Sequence, residues 1–96
     1  MTQDTLQRPL RALALLADGD VEGAHNMVRN DRSRACAWVH AHVHRIQGDP
    51  IGALHFYLRA RKPIARGAHE AERRAIEAAL TSLLKKPDDA RAARLA

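Results

Sequence analysis

One pattern of glycine and aspartate occurs twice in this chain, as Gly19-Asp20-Val21-Glu22-Gly23-Ala24 and, 29 residues later, as Gly48-Asp49-Pro50-Ile51-Gly52-Ala53. In each copy the first glycine can end a helix in the left-handed conformation, and the aspartate can cap the next helix. A fixed period of this kind indicates a repeated helical hairpin. The sequence therefore predicts an all-α fold that contains two stacked hairpins.

The turns between apolar segments give the predicted boundaries. Hairpin 1 is expected at about 6–29, with helices at 6–17 and 21–29, and hairpin 2 at about 34–61, with helices at 34–47 and 50–61. Thr5 is a candidate N-cap of the first helix, and Pro9 is expected in its first turn. With 96 residues, the chain is predicted to form a single helical-repeat domain.

A long capping helix is predicted at about 68–86. Two ion pairs, Glu70 with Arg74 and Arg73 with Glu77, are expected on its solvent side. Pro87 is expected to end the helix, which leaves 87–96 as a short extra helix or a frayed tail. Apolar residues recur every three or four positions along it: Ala68, Ala71, Ala75, Ile76, Ala79, Leu80, Leu83 and Leu84.

The two hairpins differ in the character of their first helices. The spacing of apolar residues in the first helix predicts one buried face, made of Leu6, Leu10, Leu13, Ala14 and Ala17. The residues 29 positions later are again apolar, except that His42 replaces Leu13. Beside it, Arg45 takes the place of Leu16. The hairpins are therefore expected to share a fold but not a surface.

Composition and charge exclude some classes of protein. The net charge of +5 favours acidic partners without requiring nucleic acid. The single cysteine, Cys36, excludes an intramolecular disulfide and is typical of a reducing compartment. The longest apolar run, at 12–17, is far too short to cross a membrane, and the first residues do not resemble a secretory signal. We therefore expect a cytoplasmic protein that does not enter a membrane.

Part of the second hairpin resembles a tetratricopeptide repeat. In that family a Gly-Asp pair precedes the second helix of the repeat, which then carries alanine, tyrosine and alanine at the spacing seen here in Ala53, Tyr57 and Ala60. Ala41 matches the small residue of the family's first helix. The period of 29 is shorter than the 34 residues usual in the family. The resemblance implies hairpins that stack and bind protein or peptide.

A second resemblance is to a family of small, uncharacterised bacterial proteins with a W-x-H-A-x-x-H-R-x-x-G-D motif. That motif is preceded by an Ala-His pair and followed by a Y-x-R-A segment. The corresponding stretches are Ala24-His25, then Trp38-Val39-His40-Ala41-His42-Val43-His44-Arg45-Ile46-Gln47-Gly48-Asp49, then the aromatic-rich Phe56-Tyr57-Leu58-Arg59-Ala60. They cover the first four predicted helices. The resemblance implies a common fold and assigns no activity.

Three of the six histidines are candidate metal ligands. His40 and His44 are four residues apart, as in helical zinc pairs, and His25 precedes them by one helix. Against this, the chain has no H-E-x-x-H run or cysteine pair, and Asp20 and Asp49 are expected to serve as helix caps. We favour the alternative that these histidines are half-buried and hydrogen-bonded to the backbone or to each other. No cofactor is predicted.

A partner-binding surface is predicted on the face of the third helix that carries Trp38, His42 and Arg45. Tryptophan offers contact area, and arginine can form paired hydrogen bonds to a carboxylate or phosphate. The alternative is that Trp38 fills the core while Arg45 only solvates the end of the helix, and this is the reading we favour.

Cations near two turns suggest one positive edge. Arg29, Arg32 and Arg34 follow the second helix, and a basic run at 59–66 follows the fourth. Nucleic-acid binding through such an edge calls for stacking aromatics, and aromatics make up only 3% of the chain. A solvated edge is therefore the preferred interpretation.

Nothing in the sequence matches a common catalytic motif. Cys36 and His40 are four residues apart, so a thiolate–imidazole couple is conceivable in geometry, but a buried structural thiol is preferred. Our leading functional prediction is a scaffold or adaptor that binds a protein or peptide, and a homodimer would cover the ends of so short a stack. A metal-binding or enzymatic protein centred on His25, His40 and His44 remains the main alternative.

Overall fold

The structure is a computed structural model that describes residues 3–95, with side chains described for residues 5–84. Over these residues the chain is all-α, as predicted. Its five helices are α1 (Gln3–Ala17), α2 (Val21–Val28), α3 (Arg34–Ile46), α4 (Pro50–Ala60) and α5 (His69–Leu95).

The repeated G-D-x-x-G-A pattern builds the same turn twice. Gly19 and Gly48 have φ values of 85° and 75°, in the left-handed region that glycine adopts without a steric penalty. The aspartate that follows each glycine accepts a hydrogen bond from a backbone N–H of the next helix, from Gly23 to Asp20 at 2.8 Å and from Gly52 to Asp49 at 2.9 Å. The predicted caps are therefore confirmed.

Helix α3 lies at the centre of the molecule. It packs against each of the other four helices. Helix α4 packs on α3 and also reaches α5 through a hydrogen bond from Tyr57 to Glu72, and α2 packs on α1 and α3. Helix α5 lies against α1 and α3. The central position of α3 explains why its buried residues face several directions: Ala35, Cys36, Ala37, Val39, His40, Ala41, His42 and Val43.

The buried face of α1 differs from the predicted one. Leu6 and Leu13 are buried as expected, but Ala14 and Ala17 are exposed, and Pro9 and Ala12 are buried instead. The face is rotated because α1 contacts α2, α3 and α5 together, so the neighbours of the helix and not its apolar spacing alone decide which side is covered.

Both termini are more helical than predicted. Helix α1 begins at Gln3, so Thr5 lies inside the helix and is not its N-cap, and Pro9 is its seventh residue. Residues 1–5 contain no glycine or proline that would stop the helix from extending toward the N-terminus.

Helix α5 continues past Pro87 to Leu95. An internal proline costs about 3 kcal/mol, but alanine and arginine, which favour helix, dominate the residues after it.

The two predicted ion pairs of α5 are confirmed, at 3.2 Å between Arg74 and Glu70 and 3.5 Å between Arg73 and Glu77. Its buried stripe, however, is narrower than predicted. Ile76 and Leu80 are buried, while Ala68, Ala71 and Ala75 are exposed. A third residue of α5 is buried on this side, and it is acidic: Glu72 is only 7% exposed.

A candidate metal centre of three histidines

Helices α2 and α3 bring His25, His40 and His44 together. His40 and His44 lie one turn apart on α3, and α2 packs beside them and contributes His25. One ring nitrogen from each histidine lies within 4.8 Å of the others. Among the residues whose side chains are described, this is the group of histidine, cysteine and acidic side chains arranged closely enough to hold a metal ion.

The two histidines closest to each other are held as neutral rings. Nε2 of His25 lies 3.0 Å from Nε2 of His40, so one ring must donate a hydrogen bond to the lone pair of the other. Burial, followed by the charges of the neighbouring His25 and His44, lowers the pKa of His40 to about 4. Burial, then His44 and Arg29, also lower the pKa of His25. Both rings are therefore neutral at pH 7, the form that binds metals.

The third histidine is oriented by the helix cap of α4. Nδ1 of His44 donates to Oδ2 of Asp49 at 2.9 Å, while Oδ1 of the same carboxylate accepts the N–H of Gly52. The Gly52 hydrogen bond, followed by the one from His44, lowers the pKa of Asp49. This leaves Nε2 of His44 as the nitrogen that can bind a ligand, in the carboxylate–histidine arrangement common at metal sites.

Gly52 permits this arrangement. A Cβ atom at that position would lie 2.7 Å from Nδ1 of His44 and would also meet the Asp49 carboxylate. For a Cβ at Gly23, the corresponding residue of the first repeat, the three nearest atoms all belong to Asp20. The second glycine of the repeated pattern thus has an additional role in the second copy.

Phe56 of α4 covers one side of the cluster. Its ring stacks on His40 at a centroid distance of 3.6 Å and on His44 at 5.2 Å, with interplanar angles of 18° and 21°. A stacked aromatic ring limits the rotation of both imidazoles and covers part of their faces. The ring edges carry the nitrogen atoms, and Phe56 does not prevent those nitrogens from approaching one another.

The sequence analysis favoured hydrogen-bonded, half-buried histidines over a metal site. The contact between His25 and His40 agrees with that interpretation, but it does not account for the approach of His44 or for the second hydrogen bond of Asp49. Asp49 and Phe56 were not among the predicted site residues. The sequence held one signal for the role of Asp49, since this residue follows His44 by only five positions. The sequence analysis used its carboxylate only as a helix cap.

The predicted partner-binding residues have different surroundings. His42 is fully buried and donates from Nδ1 to Oε1 of Glu72 at 2.7 Å. Arg45 donates to the same oxygen at 3.0 Å and to the carbonyl oxygen of Gly67. His42 therefore has no surface with which to contact a partner, and Arg45 is engaged inside the protein.

Glu72 is the residue at this site that the sequence analysis missed. The Tyr57 hydroxyl also donates to it, so three side chains from α3 and α4 converge on one carboxylate of α5. Burial raises the pKa of Glu72, but the hydrogen bonds from His42 and Tyr57 lower it more, and the net shift is downward. One signal in the sequence could have indicated its burial. Glu72 lies four residues before Ile76 and eight before Leu80, which places it on the same side of the helix as these two apolar residues.

Trp38 borders a groove between α3, α4 and α5. Its ring is half-buried, and Nζ of Lys62 lies 4.4 Å from the ring centroid. The groove has a volume of about 480 Å³. Apolar residues, including Leu80 and Leu83, form part of its wall, and Arg34, Arg61 and Lys62 supply positive charge.

The predicted positive edge is divided between two sites. Arg34 and Arg61 line the Trp38 groove, whereas Arg29, Arg32 and Arg59 line a separate cavity of about 260 Å³. The cations of the predicted edge are therefore shared between two cavities.

The thiol of Cys36 is not arranged as a nucleophile. The residue is buried, and burial raises its pKa to about 11. A thiol with that pKa is protonated at neutral pH and reacts slowly. The preferred structural interpretation of Cys36 agrees with this environment.

Comparisons with models of known protein families, with curated proteins and with solved structures found no match. Within residues 3–95, no helix combines the length and the apolar character that crossing a membrane requires.

Proposed function

We propose that this protein binds a divalent transition-metal ion of the zinc class through His25, His40 and His44. The observation that supports this most strongly is the convergence of three imidazole nitrogens within 4.8 Å, with Asp49 orienting the third ring. Imidazole ligands suit zinc, cobalt, nickel and copper, whereas magnesium and calcium prefer oxygen.

The distances suit a metal after a small adjustment. In a tetrahedral zinc site with Zn–N distances of 2.0–2.1 Å, two ligand nitrogens lie about 3.3 Å apart. The nitrogens of His25 and His40 are at 3.0 Å already. The widest separation in the cluster, up to 4.8 Å, has to shorten by about 1.5 Å, which small side-chain rotations can supply. Three protein ligands leave the fourth position open, as in zinc sites that bind or activate a further ligand.

Metal titration of protein without a histidine tag tests this proposal. After treatment with a chelator, the protein should bind one equivalent of Co²⁺ and develop the visible absorption of a tetrahedral complex, and Zn²⁺ should displace it. Replacing His44 by alanine should abolish this spectrum. A His69→Ala variant is the matched control, because His69 is exposed and lies outside the cluster. Absence of Co²⁺ binding, or an equal loss in the control, would overturn the proposal.

For the architecture we infer tetratricopeptide-like stacking with α5 as the covering helix. What supports this is the pairing of α1 with α2 and of α3 with α4, the repeated turns, and the packing of α5 on α1 and α3. The bacterial family with the W-x-H-A-x-x-H-R-x-x-G-D motif remains a second suggested relative. Its motif includes His40, His44 and Asp49, so members of that family would share the proposed ligands.

A second candidate function is peptide binding in the Trp38 groove. An apolar wall beside Trp38, next to the cations Arg34, Arg61 and Lys62, suits an acidic segment with an apolar anchor. This keeps the predicted scaffold role but replaces His42 and Arg45 with groove residues. Affinity capture from cell extract with wild type and Trp38→Ala, compared at low and high salt, tests it. Identical captured proteins would remove the groove as a binding site.

The remaining expectations stay predictions. A cytoplasmic location is supported by the single cysteine, which is typical of a reducing compartment. A homodimer would cover α4, on which Ile51 and Leu58 are 82% and 69% exposed. Nucleic-acid binding is the weakest candidate, because the arginines lie in two separate sites.

A further inference from the structure

A second feature lies next to the three histidines, at the ends of the same helices. The cavity of about 260 Å³ is lined by Arg29, Arg32 and Arg59, with Asn30 and Phe56 among its other walls. One carboxylate, that of Asp31, also lines it. That carboxylate accepts the N–H of Ser33 at 2.8 Å and lies 3.5 Å from the guanidinium of Arg8, and its single negative charge can offset only one of the three arginines.

The cavity and the histidine cluster adjoin each other at Phe56. Arg29 lies four residues after His25 along α2 and its cap, and Arg59 lies three residues after Phe56 on α4. Phe56 borders the cavity and also stacks on His40 and His44. The charges of Arg29 and Arg59 reach the histidines, since they contribute to the lowered pKa values of His25 and His40 respectively.

We propose that this cavity binds a small oxyanion of the phosphate class beside the metal ion, an inference that rests on the proposed metal site. Guanidinium groups pair with phosphate oxygens through two parallel hydrogen bonds, and three of them surround the space. A three-histidine metal has an open position for a further ligand, and an anion also compensates the positive charge that the metal adds.

The dimensions favour a small ligand. Sites for drug-sized molecules have volumes of about 300–1,000 Å³, and this cavity lies just below that range. Phe56 is the one aromatic residue among those that line the cavity, whereas three of them are arginines, so the walls suit a charged group better than a stacked base. Inorganic phosphate or a small phosphate monoester fits both the volume and the charge.

The test uses the Co²⁺-loaded full-length protein, with inorganic phosphate and glycerol phosphate as separate probes. The cobalt spectrum is recorded before phosphate is added, so that a failure of the metal site is seen on its own. Phosphate affinity is then measured by calorimetry for wild type, Arg59→Gln and Arg66→Gln. Arg66 is the control, since it is exposed and is not among the residues that line the cavity.

Wild type should bind phosphate, Arg59→Gln should bind it about tenfold more weakly, and Arg66→Gln should be unchanged. Cobalt binding should not weaken in Arg59→Gln, because that change removes a positive charge from the neighbourhood of the metal. The proposal is overturned if the cobalt form does not bind phosphate, or if Arg59→Gln and wild type bind it equally. Tighter binding of glycerol phosphate than of inorganic phosphate would identify a monoester as the ligand.

Discussion

At the scale of single residues, Asp49 shows how one side chain can serve both fold and site. Its two oxygens are used separately, one for the N–H of Gly52 and the other for Nδ1 of His44. Asp20 makes the same cap in the first repeat, but Leu15 stands where the second repeat has His44. The repeat therefore supplies its own control for separating the two roles.

An Asp49→Asn variant should keep the cap and weaken the metal site. Asparagine caps helices about as well as aspartate, so stability should change little. With its single oxygen on Gly52, its NH₂ group would face Nδ1 of His44 and favour the tautomer that carries its proton on Nε2, the nitrogen needed for the metal. Cobalt affinity should fall about 10- to 100-fold.

The matched variant Asp20→Asn should leave cobalt affinity unchanged in the same titration. Equal affinities in Asp49→Asn and wild type would show that the carboxylate does not orient His44. Thermal melting of both variants without metal confirms that each is folded before the comparison is made.

His40 should make the stability of the metal-free protein depend on pH. Above pH 6.5 this histidine is neutral in both the folded and the unfolded chain. As the pH falls toward its folded pKa of about 4, the unfolded chain takes up a proton that the folded chain does not, so the free energy of unfolding decreases. The groups that face it are His25 on α2, His44 on α3, and His55 and Arg59 on α4.

Urea unfolding between pH 6.5 and 5 measures this dependence. Glu72 contributes little in this range, because its pKa in the folded protein is lowered from the usual value of 4.5 and its effect on stability therefore falls at lower pH. The decrease should be smaller in His40→Gln, and it should be unchanged in His69→Gln. If His40→Gln keeps the full dependence of wild type, His40 is not held neutral by the fold.

At the scale of helices, α5 is attached to α3 and α4 through Glu72. Ile76 and Leu80 supply apolar contact, and the buried carboxylate receives hydrogen bonds from Tyr57, His42 and Arg45. The ring nitrogen Nε2 of His42 is buried and has no partner among the described side chains. That cost is offset by the hydrogen bonds to Glu72.

Replacing Glu72 by glutamine should reduce the free energy of unfolding by about 3 kcal/mol, because Arg45 would remain partly buried without a counter-charge. Glu77→Gln on the same helix should cost less than about 1 kcal/mol, since Glu77 is exposed and its pair with Arg73 is solvated. Urea unfolding of both variants at pH 7 makes the comparison. Similar costs for the two would mean that the Glu72 network does not hold α5.

At the scale of the whole molecule, a metal that links α2 and α3 should stabilise the entire domain. At a free metal concentration 100 times the dissociation constant, binding contributes about 2.7 kcal/mol. For a chain of this size that raises Tm by roughly 10 °C or more. Chelator should reverse the shift, and His44→Ala should show none. An unchanged Tm with zinc in wild type would contradict the proposed site.

The helices and their turns could largely be predicted from the sequence. The caps Asp20 and Asp49 and the left-handed glycines Gly19 and Gly48 act on residues within five positions, so the chain determines them without reference to its neighbours. The ends at Thr5 and Pro87 were predicted less well, because helix extension there depends on weak preferences summed over several residues.

The candidate site could be predicted only in part. His40 and His44 share a helix face by their spacing, and His25 was placed nearby because it lies one helix earlier. The role of Phe56, the second hydrogen bond of Asp49, and the burial of His42 against Glu72 all depend on which helices pack together. Residues far apart in the chain meet at these points, and spacing along the chain carries no information about them.

The sequence by itself determined an all-α chain with a repeated turn and with histidines at helical spacing, because hydrogen bonds between near neighbours fix those features. Only the tertiary structure decided that α3 contacts all four other helices, that Glu72 is buried, and that three imidazoles converge beside an arginine-lined cavity. Burial and convergence are properties of packed helices, since they depend on where each helix lies relative to the others.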